Sequence, residues 1–231
     1  MARSVADAAL MQNVMSGPHP ADICTVREKV VIPETHEGIK GWKVALSMDL
    51  GYYEVDSEVQ KNTREAAKVF KSLGCKVEEV NVGWNYGTLD AWTTYWEGLF
   101  AGVCGDLLPR WQYEMDPFVV KLLERGMRHS AGRLYRCNLV RGEMYKTLAP
   151  ILDQYNILIC PTLAVPAVKA DHKNDDPDFT INGKKISAYV QWAYRPALSA
   201  RSMYPAAGPA RHTAATGGAL RPPSGLRAYS P

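Results

Sequence analysis

The chain contains no C-x-x-C pair, although it has five cysteines, Cys24, Cys75, Cys104, Cys137 and Cys160. An odd, scattered set excludes a disulfide framework and a cysteine zinc site, and fits reduced thiols in a cytoplasmic protein. An excess of one charge sign is also missing. The formal charge is +3, which offers no basic face to nucleic acid. No apolar run approaches the ~20 residues of a membrane helix. The most apolar stretch, 157–168, is cut by Pro161 and Pro166. Asp7, Gln12 and Asn13 interrupt the N-terminal apolar residues, so no signal-peptide core forms. The expectation is a cytoplasmic protein that does not enter a membrane.

Paired ligands and catalytic motifs are absent too. The histidines, His19, His36, His129, His172 and His212, have no metal-pair spacing. They read as loop or surface residues, His129 as an accessory to a helix start. The run 171–178 is rich in oxygen ligands but lacks the Gly and terminal Glu of a calcium loop. No metal or cofactor is expected. There is no G-x-S-x-G and no S-x-x-K. Lys71 and Ser72 are neighbours on a helix and so point in different directions. A nucleophile needs a base within hydrogen-bond reach. No catalytic residue is therefore assigned to this chain.

What is present reads as an α/β chain. Ser4 and Asp7 mark a helix start, and Gly17-Pro18 its end. That helix has an apolar face which something should cover. Residues 42–48 read as a buried strand, and 57–73 as an amphipathic helix closed by Gly74. Residues 76–82 follow as a second strand, completing a parallel β-α-β unit. Thr88 or Asp90 is expected to cap a helix to about Leu108. Residues 117–126 form a short helix, and Ser130 opens a long one to about Tyr155, with Pro150 a candidate kink. Residues 157–160 read as a buried strand, and Asn182-Gly183 as a two-residue hairpin turn. The segment 197–231 has no Asp, Glu or Lys. It reads as a low-complexity, disordered tail.

Several segments in order carry a resemblance. They are Met1-Ala2-Arg3-Ser4-Val5-Ala6-Asp7, Gly41-Trp42-Lys43-Val44-Ala45, Leu73-Gly74-Cys75-Lys76-Val77 and Tyr155-Asn156-Ile157-Leu158-Ile159-Cys160-Pro161-Thr162. Together they resemble the C-terminal half of the amidase-signature family. The resemblance implies a mixed β-sheet flanked by helices, here an incomplete part of that fold over 1–196. It also implies carboxamide hydrolysis by a Ser-cisSer-Lys triad, with backbone N–H groups holding the oxyanion. The family's triad lies upstream of the helix that opens this chain, in a Gly/Ser-rich region matched nowhere here. Met1 resembles an internal methionine of a longer parent. Arg195-Pro196-Ala197-Leu198-Ser199 resembles the start of a family strand, after which the text departs. A shifted reading frame near codon 199 is the expectation for 197–231.

One helix face is aromatic. Trp92, Tyr95, Trp96 and Phe100 fall at i, i+3, i+4 and i+8. Such a stripe packs a core, or lines a small-molecule pocket. By the resemblance it forms a wall of the acyl-side cavity, with Arg133, Tyr135 and Arg136 further candidates. The functional reading is an amidase-family piece that supplies pocket walls and part of the sheet for a small-molecule amide substrate. The chain alone is expected to be inactive, and to self-associate through an exposed sheet edge. The alternative is a non-catalytic gene product or scaffold module. A third reading is part of an amidotransferase directed at charged tRNA, which the weak net charge does not favour.

Overall fold

The computed structural model describes residues 2–22, 25, 27–173 and 176–186. The 195–199 motif, the 197–231 tail, Cys24 and His212 lie outside the described residues.

The centre of the fold is a three-stranded sheet in the order β2-β1-β3, with β1 Lys43–Leu46, β2 Lys76–Glu79 and β3 Ile157–Ile159. Both pairings are parallel, Val44 lying opposite Val77 on one side and Ile157 on the other. Val44, Ala45 and Leu46 are buried, as a central parallel strand covered on two faces requires. Among the described residues the antiparallel pairing is confined to a separate ribbon, β4 Thr180–Ile181 with β5 Lys184–Lys185. In that ribbon Asn182 (φ 50°) and Gly183 (φ 78°) take the positive φ angles of a type I′ turn.

Helix α2, Ser57–Ser72, connects β1 to β2. Asp56 caps its start by accepting from the Glu58 N–H. At its end the Cys75 N–H donates to the Phe70 carbonyl and the Gly74 N–H to the Lys71 carbonyl. Gly74 has φ +83°, so this is a Schellman close that turns the chain directly into β2.

Four helices follow: α3 Tyr86–Cys104, α4 Leu108–Trp111, α5 Pro117–Met127 and α6 Ala131–Gln154. The start of α3 corrects the expected cap. Asn85, and neither Thr88 nor Asp90, closes the first turn, accepting from the Gly87 N–H at 2.8 Å. Thr88 is buried inside the helix instead. The expected single helix to Leu108 is broken by a 3-10 turn at Gly105–Leu107. Ser130 caps α6 through the Arg133 N–H, and the helix runs on through Pro150.

The main core lies between the sheet, α3 and α6. Leu50, Val82, Trp84, Trp92 and Met144 are among its members. The Trp84 indole N–H donates to the Met144 carbonyl and to Thr147 Oγ1, satisfying its polar edge while the ring is buried. A smaller core of Leu108, Leu122 and Leu123 sits between α3, α4 and α5.

Helix α1, Val5–Met15, starts as expected, with Ser4 accepting from the Asp7 N–H. None of its residues is buried. Val5, Leu10, Met11, Val14 and Met15 are all exposed. Its tie to the described chain is Asn13, whose side chain brackets the Ile32 backbone.

Candidate functional site

Helix α3 places the four predicted rings in one row, though at different depths. Trp92 is 3% exposed and belongs to the main core. Tyr95, Trp96 and Phe100 are half-buried. Trp92 stacks on Trp96 with centroids 5.7 Å apart, and Trp96 meets Phe100 at 4.5 Å. Trp96 packs against both cores and so joins them. The Arg141 guanidinium, from α6, lies 5.9 Å above the Tyr95 ring, a favourable place for a cation.

The other three candidates are not gathered with the rings. Arg133 reaches across to α3, 3.4 Å from Asp90 and 3.2 Å from the Thr94 hydroxyl. Tyr135 is 70% exposed, and Arg136 is exposed. A cavity of about 810 Å³ runs along the 167–177 loop beside Lys169, His172 and Lys173. None of the four rings lines it, and neither does a serine, threonine or cysteine.

The sequence reading missed the most unusual group nearby. Glu97, between Trp96 and Gly98, is 0% exposed. Its carboxylate oxygens are each held at 2.7 Å, Oε1 by Arg125 Nε and Oε2 by His129 Nε2. Burial of a carboxylate is tolerated where both oxygens are satisfied this way. His129 lies in the loop between α5 and α6, as expected, but its side chain is 14% exposed and turned into the α3–α5 corner. Gly126 makes that corner possible, since a Cβ there would meet the Glu97 carbonyl.

The Asn182 ribbon is tied to the 54–57 segment. The Asn182 amide donates to Glu54 Oε1 and to the Val55 carbonyl, and Lys184 Nζ to Glu54 Oε2. These bonds hold the Glu54 carboxyl below the ordinary glutamate range. Glu54 in turn raises the Lys184 ammonium. At the centre, burial pushes the Cys137 thiol up, with the nearby Asp90 charge adding to the effect. Such a thiol is a packing group and not a nucleophile.

The family model for Amidase matches residues 1–211. The chain belongs to the amidase family. It is similar to an acylamidase of Rhodococcus erythropolis, 32% identical over 167 residues, a match covering 70% of this chain and 35% of that protein. Among solved structures it resembles a bacterial aryl acylamidase of the amidase signature family. There the TM-score is 0.70 at 26% identity, over 82% of this chain and 41% of that one. A shorter match joins it to one subunit of the glutamyl-tRNA(Gln) amidotransferase of Thermotoga maritima, 33% identical over 81 residues, covering 35% of this chain and 17% of that subunit. This amidase-family chain therefore spans less than half the length of the relatives it matches. The α/β fold with helices flanking the sheet is that of the family. Among the described residues no helix is long and apolar enough to cross a membrane.

Proposed function

We propose that this chain is part of a carboxamide hydrolase and supplies part of the sheet and one wall of the substrate pocket, residues 1–196 carrying that role. The observation that carries the reading is the family match over 1–211 together with the half-buried row of Tyr95, Trp96 and Phe100 on α3. Trp92 backs the row from the core. An apolar, aromatic surface suits the acyl or aryl part of a small amide, and the acylamidase relatives support that substrate class. The weak charge of +3 makes nucleic acid the poorer candidate.

The Ser-Lys machinery lies outside this chain in the same reading. Three of the described serines support it. The Ser72 hydroxyl donates to its own helix at the Val69 carbonyl, 2.8 Å away, and Ser4 and Ser130 are spent as caps. Removing a nucleophile costs a hydrolase on the order of a millionfold. The purified chain should therefore bind an anilide and not turn it over. Incubation with nitroacetanilide, with and without a serine-directed inhibitor, tests this. Inhibitor-sensitive turnover would place the catalytic groups within the 231 residues and overturn the assignment.

Self-association is the corresponding proposal for the isolated chain. Among the described residues β3 has no strand on its outer edge, where Ile157, Leu158 and Ile159 are each part-exposed, and α1 adds its uncovered apolar residues. Unprotected apolar edges of this kind pair with copies of themselves. Sedimentation of the chain over a concentration series reads it directly, and a monomer throughout would refute it.

A further inference from the structure

Glu97 lies in the middle of the aromatic helix, fully buried. Burying a carboxylate is costly even when it is paired, so added stability is a poor account of its presence. Its two bonds are satisfied by one arrangement of the helices. Arg125 comes from the last turn of α5, and His129 lies two residues past its end. Gly126 stands between them with its backbone against the Glu97 carbonyl. Sliding α5 along α3 would break both hydrogen bonds and bring a Cβ onto that carbonyl. The corner therefore closes in a single register. On the same helix, Phe118, Val119, Leu122 and Leu123 pack with Trp96 and Phe100 in the smaller core. The register set at Glu97 thus decides what stands behind those two rings.

The geometry points to Glu97 as the positioning residue of the aromatic wall. Acting through Arg125 and His129, it fixes α5 behind Trp96 and Phe100 and so sets the depth of the apolar recess these rings offer to the aryl or alkyl group of a carboxamide. The ligand in this statement rests on the pocket-wall reading above; the mechanical part stands on the helix corner alone.

The test uses the full chain with three variants: Glu97→Gln, Glu97→Leu, and the combination Glu97→Leu, Arg125→Met and His129→Leu. Stability is read by urea unfolding. The environment of Trp96 is read by fluorine NMR of the fluorotryptophan-labelled protein, its resonance identified with Trp96→Phe. Affinity is read with nitroacetanilide. Glu97→Gln keeps the oxygen that accepts from Arg125, and its amide donates to His129 in the tautomer whose Nε2 is unprotonated, so it should keep the Trp96 resonance. Glu97→Leu strands two partners, and should lose stability and displace that resonance. In the combined variant no charge is stranded, so stability should return. The Trp96 resonance should stay displaced and the affinity about tenfold or more weaker. If the combined variant regains stability, resonance and affinity together, Glu97 is merely structural and the inference fails. It fails equally if Glu97→Leu leaves the Trp96 resonance in place. Should Glu97→Leu not fold, the combined variant decides. Should the parent chain bind no anilide, the pocket-wall reading falls, while the Trp96 resonance still decides whether Glu97 positions the ring.

Discussion

The side chain that Gly126 lacks would meet the main-chain carbonyl of Glu97 and the Cβ of Ala101. Helix α5 therefore crosses α3 at a point where neither backbone nor neighbour has a flexible end to move. Gly126→Ala should destabilise the chain by about 1–3 kcal/mol through overpacking, against the usual gain of Ala in a helix. Gly142 in α6 is the control, because nothing lies within 4 Å of its added methyl. Gly142→Ala should stabilise by about 0.4–1 kcal/mol. Urea melts of the two variants check the difference, and shifts of the same sign would show that the crossing relaxes.

The aromatic row should divide by depth. Trp92→Ala empties a fully buried site and should cost about 3–5 kcal/mol. Tyr95 is half-buried beneath Arg141, so Tyr95→Ala should cost under about 2 kcal/mol while weakening anilide binding. Paired measurements of unfolding and of nitroacetanilide affinity separate core from wall. Equal stability losses at the two positions, with affinity unmoved, would return the whole row to core packing.

The α2 boundaries were legible in the sequence because their signals are local. The apolar spacing and the Gly74 close were read from neighbouring residues and the structure uses both, whereas the Asp56 cap was not read. The Asn182-Gly183 turn was legible for the same reason. The start of α3 was not, because Asn85, Thr88 and Asp90 are all acceptable caps. In the fold Asn85 takes the cap and Thr88 is buried inside the helix. Glu97 was invisible for a deeper reason. On a helix rich in apolar residues one glutamate reads as a solvated position, and its partners lie 28 and 32 residues away. No spacing rule links such groups, since the crossing of α3 and α5 creates their proximity. The aromatic row itself was legible as a face, but periodicity does not report depth, and so did not separate Trp92 from Tyr95.

The cysteines should differ in reactivity. Cys137 is buried and its thiol is pushed up by burial first and by the Asp90 charge second. Cys104 is part-exposed. The thiolate is the reactive form, so iodoacetamide at neutral pH should label Cys104 well before Cys137. Peptide mass mapping over a time course reads the order. Early labelling at Cys137 would mean that the α3–α6 core opens on the labelling timescale.

The Glu54–Asn182–Lys184 cluster should make the ribbon sensitive to pH at both extremes. Hydrogen bonds from Lys184 and then Asn182 hold the Glu54 carboxyl below its ordinary value. Its contribution is therefore complete above the unfolded glutamate value of about 4.3, and is lost as pH falls through the lower folded value. Lys184 is shifted the other way by Glu54. Its contribution is complete below the unfolded lysine value of about 10.4 and is lost as pH rises through the higher folded value. The Lys184 side chain is 73% exposed, so solvent screens the pair, and the change should be local. The Asn182 side-chain amide resonances report it, since that amide donates to Glu54 Oε1. They should move with a midpoint below the ordinary glutamate range, and Glu54→Gln should abolish the movement. Resonances that stay flat through the acid range would mean that Asn182 is held by the Val55 carbonyl alone, and that the ribbon is anchored by Ile181 and Ile186 in the core and not by charge.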